Sequence, residues 1–422
     1  MMSDSPLYAG VDFGTSGCRL ILIDDQKVPV YTQQIRYPSF DKQSPLLWWD
    51  ALSQLLMACP VTFKQRLCSI AIDGTSGTLL LTDKKGNPTS ATLMYNDMRA
   101  SDEASLIATV APLESGAQGA SSGLARLMWL LKNHPKESHA HVLHQADWIM
   151  GKLSAQFGHS DENNCLKLGY DAVNGQWPAW FSLLSIPVHL LPKVHKPATP
   201  LTTISTHLSK QFSLPLNMQI VAGTTDSIAA FMATGATKIG EAVTSLGSTL
   251  AIKLISDTPI FSPEFGIYSH RLGDSWLLGG ASNSGGAVLL KYFSPQQLTK
   301  MTPLLKPERP TSLNYYPLPK TGERFPYANP DKKAILTPRP DNDVIYFQGM
   351  LEGIAEIEAQ AYQRLAALGA PTVSAVYSVG GGSKNSAWTT IRKNKLQIKM
   401  KTPQYTEAAY GVALLAQLGM RI

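Results

Sequence analysis

Charge is scarce in this sequence. Only 16% of the 422 residues are charged, against a hydrophobic share of 44%, so the chain can build real cores and is not disordered. The 37 basic residues outnumber the 31 acidic ones by six, and the excess is thinly spread, in short clusters such as Arg392-Lys393-Asn394-Lys395. A nucleic-acid partner calls for a basic stripe interleaved with aromatics, which is missing. Long hydrophobic runs are missing too. The most apolar stretch, Val221–Thr237, contains Asp226 and many small polar residues, which excludes a membrane span. Cysteine is rare: Cys18, Cys59, Cys68 and Cys165 show no C-x-x-C spacing and no partnering His cluster. That excludes a zinc site or a redox couple and predicts reduced, buried thiols. The opening Met1–Gly10 lacks the basic and apolar segments of a signal peptide, so a cytoplasmic location is expected.

What is present is an alternation of apolar runs and glycine turns. At this length two domains of roughly equal size are expected. Leu7–Gly14, Cys18–Asp24 and Val28–Arg36 read as three consecutive strands with short turns, hence antiparallel. A helix is expected at Trp48–Ala58, a strand at Cys68–Asp73 and a helix at Leu124–Lys132, stopped by Pro135. Five prolines between Pro187 and Pro215 predict irregular structure, and nine of the 28 prolines between Met301 and Pro340 predict a long surface excursion. The pattern restarts with strands at Gln219–Gly223, Ala242–Ser245 and Thr249–Ile255. Phe347, Leu351, Ile354, Ala361, Leu365 and Leu368 then mark the best helix, closed by Gly369. A strand at Ala375–Val379 and a final helix at Thr406–Leu418 follow. Two halves that each open strand–glycine turn–strand form a weak internal repeat, consistent with duplication of an α/β unit.

Four motifs could carry chemistry. In Gly10–Arg19 (GVDFGTSGCR) a strand delivers Asp12 to its end, where Gly14 and Gly17 permit a tight turn and Thr15 and Ser16 add hydroxyls. Such a turn can cradle an anion, with a hard cation beside the acid; the same residues also suit a plain hairpin turn. Thr244–Thr249 (TSLGST) echoes it without the acid, and the echo points to two phosphate cradles. Ser378–Trp388 (SVGGGSKNSAW) runs a strand through three glycines into a helix, which bares backbone amides for an anion or a flat ring. It lacks the dinucleotide fingerprint, which disfavours a nicotinamide enzyme. Ala222–Ser227 (AGTTDS) places Asp226 at a helix start, the position of a cap or of a catalytic carboxylate.

Together these motifs resemble the FGGY carbohydrate kinases of the actin-like ATPase superfamily, over nearly the whole chain. Tyr95–Arg99 (YNDMR) is similar to that family's sugar-side W-x-D-x-R segment, with Tyr for Trp. Gly123–Trp129 is similar to its first signature, with Arg126 in place of the usual Lys. The resemblance implies an α/β fold of two ribonuclease-H-like domains with mixed sheets around a central cleft. Residues 1–230, completed by 404–422, would form the sugar side, and residues 231–403 the nucleotide side. ATP and Mg²⁺ are the implied cofactors, and a small sugar is the partner, with no nucleic acid or membrane and a monomer or homodimer as the assembly.

Residue by residue, Asp12 would hold Mg²⁺ and touch the sugar, while Gly14, Thr15 and Ser16 would face the transferred phosphate. Asp226 would be the general base. Asp97 and Arg99 would lie on the sugar side. Gly247, Ser248 and Thr249 would hold the nucleotide phosphates; Gly380, Gly381 and Gly382 would back the adenosine, with Asn385 and Trp388 beside the base. Xylulokinases of this family carry Gln-Met-His-Gly where this chain has Asp73–Gly77 (DGTSG), with Ser76 as the expected sugar contact. That difference, with Leu166–Asp171 (LKLGYD), is most similar to a compact ribulokinase-like branch found in cyanobacteria and plants. It implies D-ribulose as acceptor, with D-xylulose or a pentitol as the alternative. A catalytically degenerate sugar or nucleotide sensor on the same fold is the reading from another class. A chaperone-like ATPase would need a peptide-binding domain for which no residues are left.

Overall fold

The structure is a computed structural model that describes residues 5–38 and 43–421. Along the chain, β1 (Leu7–Phe13), β2 (Gly17–Ile23) and β3 (Pro29–Arg36) precede α1 (Pro45–Ala58), α2 (Val61–Lys64), β4 (Leu67–Gly74) and β5 (Leu79–Thr82). Next come α3 (Ser101–Ala108), α4 (Gly123–Asn133), β6 (His141–His144), α5 (Gln145–Ser154), β7 (His159–Asp161) and α6 (Glu162–Leu166). They are followed by β8 (Lys193–His195), β9 (Pro200–Thr203), α7 (Thr206–Phe212), β10 (Gln219–Thr225) and α8 (Asp226–Ala233). The second run comprises β11 (Glu241–Leu246), β12 (Leu250–Ser256), β13 (Tyr268–Leu272), β14 (Ser275–Ser282), α9 (Gly286–Tyr292) and α10 (Pro295–Met301). It closes with α11 (Asp343–Ala367), β15 (Ala375–Val379), α12 (Ser386–Leu396), β16 (Lys399–Lys401) and α13 (Ala408–Leu418). Two units result: residues 1–233 with 405–422, and residues 234–404.

Unit 1 is built on a sheet of order β3-β2-β1-β4-β10-β9. β1 pairs antiparallel with β2 and parallel with β4, and β10 is parallel to β4. One face packs on α1 and α5 through Trp48, Leu52, Leu55, Ile149 and Leu153. The other face takes α8 and α13, whose small residues permit very close approach. A Cβ on Gly10 of β1 would lie 2.0 Å from the Ala409 carbonyl oxygen, and one on Gly411 would lie 1.9 Å from that of Ala229. The final helix therefore packs against the first strands of the chain.

Unit 2 has a sheet of order β13-β14-β12-β11-β15-β16, with β11–β12 antiparallel and β11–β15–β16 parallel. The order β14-β12-β11-β15-β16 reproduces β3-β2-β1-β4-β10, with the same strand directions. The internal repeat is thus a repeat of topology. The 25-residue α11, capped by Asn342 accepting from Val344 and Ile345, carries much of its core.

Two expectations need correction. Residues 187–215 hold β8, β9 and α7 rather than irregular structure. Pro200 opens the sheet-edge strand β9, where its missing N–H is tolerated. Within the excursion between α10 and α11, Tyr315, Leu318 and Phe325 are buried, so parts of it pack inward instead of lying on the surface.

Candidate active site

In unit 1, three parallel strands end at one level: Phe13 of β1 is in register with Gly74 of β4, and Gly74 with Thr225 of β10. One residue back, Asp12 faces Asp73, and one residue on, Asp226 begins α8. The carboxyl edge of parallel strands is where α/β sheets bind ligands. Here it carries three carboxylates in a row.

Their electrostatics follow from that crowding. Burial raises the pKa of Asp12, and the Asp226 charge adds to it, while the Asp73 contact and Arg19 oppose. Asp73 is fully buried; burial, then the charge of Asp12, then that of Asp226 hold its pKa well above the carboxylate range. No donor meets either Asp73 oxygen in good hydrogen-bond geometry; the Asp12 carboxyl lies against it. Asp226 is half-buried at the N-terminus of α8, where the helix dipole favours a carboxylate, and its Oδ1 accepts from the Ser227 amide at 2.6 Å.

The Gly14–Ser16 turn joins β1 to β2, closed by the Gly14 N–H donating to Gly17 O at 3.0 Å. Gln43 Nε2 donates to Thr15 O at 2.7 Å, and Thr15 Oγ1 reaches Tyr95 Oη at 3.4 Å. A Cβ on Gly14 would meet nothing closer than 3.7 Å, ordinary contact distance, so the fold does not itself require glycine here. Gly17 is different: its Cβ would fall 2.3 Å from Ile35 O, a requirement of the hairpin.

Ser76 lies in the turn after β4, and its Oγ is buried with no protein partner. The turn is pinned by Arg126, fully buried on α4, whose Nη1 donates to Gly77 O at 2.7 Å and Nε to Asp97 O at 3.1 Å. Nη2 donates to Tyr95 O. Desolvation lowers the Arg126 pKa to about 10, with the Asp97 charge opposing. Arg126 thereby ties the Tyr95–Asp97 backbone to the Ser76 turn. The side chains of Asp97 and Arg99 pair with each other, at 2.9 Å, and Arg99 is half-exposed over the Trp129 ring. They are not part of the carboxylate row.

In unit 2, Gly247–Thr249 forms the turn between β11 and β12. Gly286 and Ala287 at the start of α9 donate to Gly247 O at 2.8 Å and Ser248 O at 3.1 Å. The three glycines after β15 differ from one another. Gly380 has φ +84° and its Cβ would lie 2.8 Å from Leu246 O; a Cβ on Gly382 would lie 2.3 Å from the Trp388 ring. Around Gly381 there is nothing within 4 Å. Two of the glycines satisfy the fold, and the third bares backbone to solvent. Asn385 caps α12, accepting from Trp388 N at 3.0 Å, and its Nδ2 donates to Thr302 Oγ1 at 3.3 Å. The Trp388 ring is buried beneath Gly382, in the core of the unit.

Families of known proteins match both halves. Residues 7–233 match the N-terminal domain of the FGGY family of carbohydrate kinases, and residues 242–420 match its C-terminal domain. The chain belongs to the FGGY carbohydrate kinases. The xylulose kinase of Escherichia coli K12 is 22% identical over 437 residues, covering 98% of this chain and 90% of that protein. The crystal structure of a xyloylose kinase from Brucella ovis superposes with a TM-score of 0.88 at 22% identity, over 98% of this chain and 90% of that one. Plasmodium falciparum glycerol kinase with ADP gives a TM-score of 0.86 at 17% identity, over 99% and 90%. This FGGY kinase is therefore an enzyme of carbohydrate phosphorylation on a two-domain α/β fold, and such kinases use ATP.

Among the described residues no group of three or more His, Cys, Asp or Glu could hold a metal ion alone, and no helix is long and apolar enough to cross a membrane. Mg²⁺ binds through one or two carboxylates, its own waters and substrate phosphates. Asp12, next to the Gly14–Ser16 turn, offers one such carboxylate, whereas Asp73 is fully buried with its pKa held well above the carboxylate range. In the sequence Asp73 stands out only as the first residue of the Asp73–Gly77 segment, Gln145 and Glu358 belong to no motif, and Arg126 is only a departure from the family signature. Their one signal is a polar residue inside or beside an apolar run, which periodicity does not distinguish from a surface face.

Proposed function

We propose that this FGGY kinase transfers the γ-phosphoryl group of ATP to a hydroxyl of a pentulose, with D-ribulose the preferred acceptor. The observation that carries the reading is the carboxylate row at the strand ends of unit 1, with Asp226 at its accessible end. A sugar hydroxyl is a weak nucleophile. Asp226 takes its proton as the new P–O bond forms and the bond to ADP breaks. Asp12, beside the Gly14–Ser16 turn, orients the acceptor and would hold Mg²⁺. The metal, when bound, neutralises charge on the phosphate oxygens. Gly14, Thr15 and Ser16 line the phosphate, and Ser76 offers its unpartnered hydroxyl to the sugar. Arg126 holds the Ser76 turn, while Asp97 and Arg99 border it.

In unit 2, the Gly247–Thr249 turn holds the nucleotide phosphates and Gly381 meets the adenosine. Gly380, Gly382, Asn385 and Trp388 shape that surface from behind. The hydroxyl-bearing Asp73–Gly77 turn, without histidine, supports D-ribulose. The xylulose kinases among its relatives support D-xylulose as the second reading.

A coupled ADP-release assay over D-ribulose, D-xylulose, pentitols, glycerol and hexoses tests this. D-ribulose should lead, with D-xylulose behind it. Leadership by D-xylulose would reverse the order, and leadership by glycerol or a hexose would end the pentulose reading. Sugar binding without any turnover would establish a sensor.

A further inference from the structure

Gln145 opens α5 and is wholly buried. Its backbone N–H donates to Thr78 O at 3.1 Å. Its side-chain Oε1 accepts from the Thr75 amide and from Thr75 Oγ1, both at 3.0 Å. A backbone N–H can only donate, so the atom facing it must be the amide oxygen, and the carboxamide has one orientation. The neighbouring hydroxyls agree with it. Tyr95 N donates to Thr78 Oγ1 at 3.0 Å, and Thr78 Oγ1 lies 2.6 Å from Thr75 Oγ1. That chain runs donor to acceptor and ends on Oε1.

Nε2 is left with two N–H groups and no acceptor in the protein. It sits by the end of β4, where a Cβ on Gly74 would lie only 3.0 Å from Gln145 Oε1 and 3.2 Å from its Cβ. Two further buried groups at the same strand ends have no protein partner: Ser76 Oγ and Thr225 Oγ1. Strand register puts Thr225 beside Gly74, on the face of the sheet where the Gly74 Cβ would meet Gln145, and Ser76 follows in the turn after β4. Buried polar groups are almost always paired, and leaving them unpaired is costly. Three around one strand end fit a ligand that carries several hydroxyls.

We propose that Gln145 is a sugar-binding residue of this kinase, its Nε2 donating to a hydroxyl or carbonyl oxygen of the acceptor. Thr75 holds Oε1, so the contact is donor-only, and Gln145 selects sugars that place an oxygen acceptor there. The inference rests on the sugar-kinase reading and extends it to a residue outside the family motifs.

Two variants test it. Gln145→Glu keeps an oxygen for Thr75 but replaces the free donor with an acceptor; Gln145→Met removes both without adding charge. D-ribulose and D-xylulose affinities would be measured by calorimetry without nucleotide, alongside the KM for ATP and the melting temperature. Both variants should bind the better pentulose at least tenfold more weakly, with the KM for ATP within twofold of wild type. The pentulose analogue lacking the contacted oxygen should bind wild type and variants alike. Pentulose affinity within twofold of wild type in either variant would overturn the inference, leaving Nε2 to a fixed water. So would parallel losses for sugar and ATP with a lowered melting temperature, the signature of a structural clamp. A wild-type enzyme that releases no ADP with any sugar would instead sink the kinase reading, and is read first.

Discussion

Arg392 grips Glu358 with two hydrogen bonds, Nε to Oε2 at 2.6 Å and Nη2 to Oε1 at 2.7 Å, and both side chains are fully buried. The pair joins α12 to α11 and reaches both central strands. Thr244 of β11 donates to Glu358 at 2.6 Å, and Arg392 Nη1 donates to Ser378 of β15 at 2.7 Å. These two strands lead into the Gly247 turn and the triple-glycine turn. Removing one partner leaves the other charge buried and uncompensated. We expect Glu358→Gln to destabilise unit 2 by about 3–5 kcal/mol. Calorimetric melting checks this, and an unchanged melting profile would contradict it.

Asp226→Asn keeps the shape of the side chain and removes its proton affinity. Sugar phosphorylation should fall by ~10²–10⁴-fold while ATP binding persists. Turnover near the wild-type rate would remove Asp226 from the role of base.

The glycines after β15 should separate by function. Gly381 has free space around it, so Gly381→Val should leave the fold intact and raise the KM for ATP, with sugar affinity unchanged. Gly382→Ala drives a methyl into the Trp388 ring and should lower the melting temperature instead. Equal effects of the two substitutions on stability would refute this division.

Ser76→Ala removes a buried hydroxyl with no protein partner. A net hydrogen bond contributes ~0.5–1.5 kcal/mol, and an orphaned partner on the sugar adds to the loss. We expect kcat/KM for the preferred pentulose to drop from several-fold to about a hundredfold. Sugars lacking the contacted hydroxyl should hardly change, and an equal drop across the whole panel would count against the contact.

His159 Nδ1 and His195 Nε2 meet at 3.0 Å across β7 and β8. Burial, then the neighbouring His159 and Lys193, lower the His195 pKa from 6.5 to about 4. A depressed histidine adds stability that is fully present above the unfolded value and is lost as pH falls towards the folded one. The melting temperature should therefore decline between about pH 6.5 and 4, and His195→Phe should flatten that part of the profile. An unaltered slope in the variant would assign the decline to other groups.

Much of the framework was legible in local sequence. Strand β1, its glycine turn and β2 follow from an apolar run, Asp12 and two glycines, and the apolar spacing of Phe347, Leu351 and Ile354 marks α11. The segment around Pro200 misled because proline frequency signals loops, whereas a strand at a sheet edge tolerates proline. Gly380 to Gly382 read as one motif, yet only Gly381 is left open once Leu246 and Trp388 are in place.

The sequence by itself determined the duplicated α/β plan, the four motifs and the membership in a kinase family, because each lies within a few consecutive residues whose spacing reflects backbone geometry. Only the tertiary structure decided that the Asp73 carboxyl is fully buried against Asp12 and within reach of the Asp226 charge. Parallel register between β1, β4 and β10 levels residues up to 212 positions apart, such as Phe13 and Thr225. It likewise decided that Asp97 and Arg99 pair with each other, and that Gln145, its Oε1 held by Thr75, keeps an amide nitrogen without a protein acceptor. Those outcomes depend on which side chain burial leaves without a partner, and no local pattern encodes that.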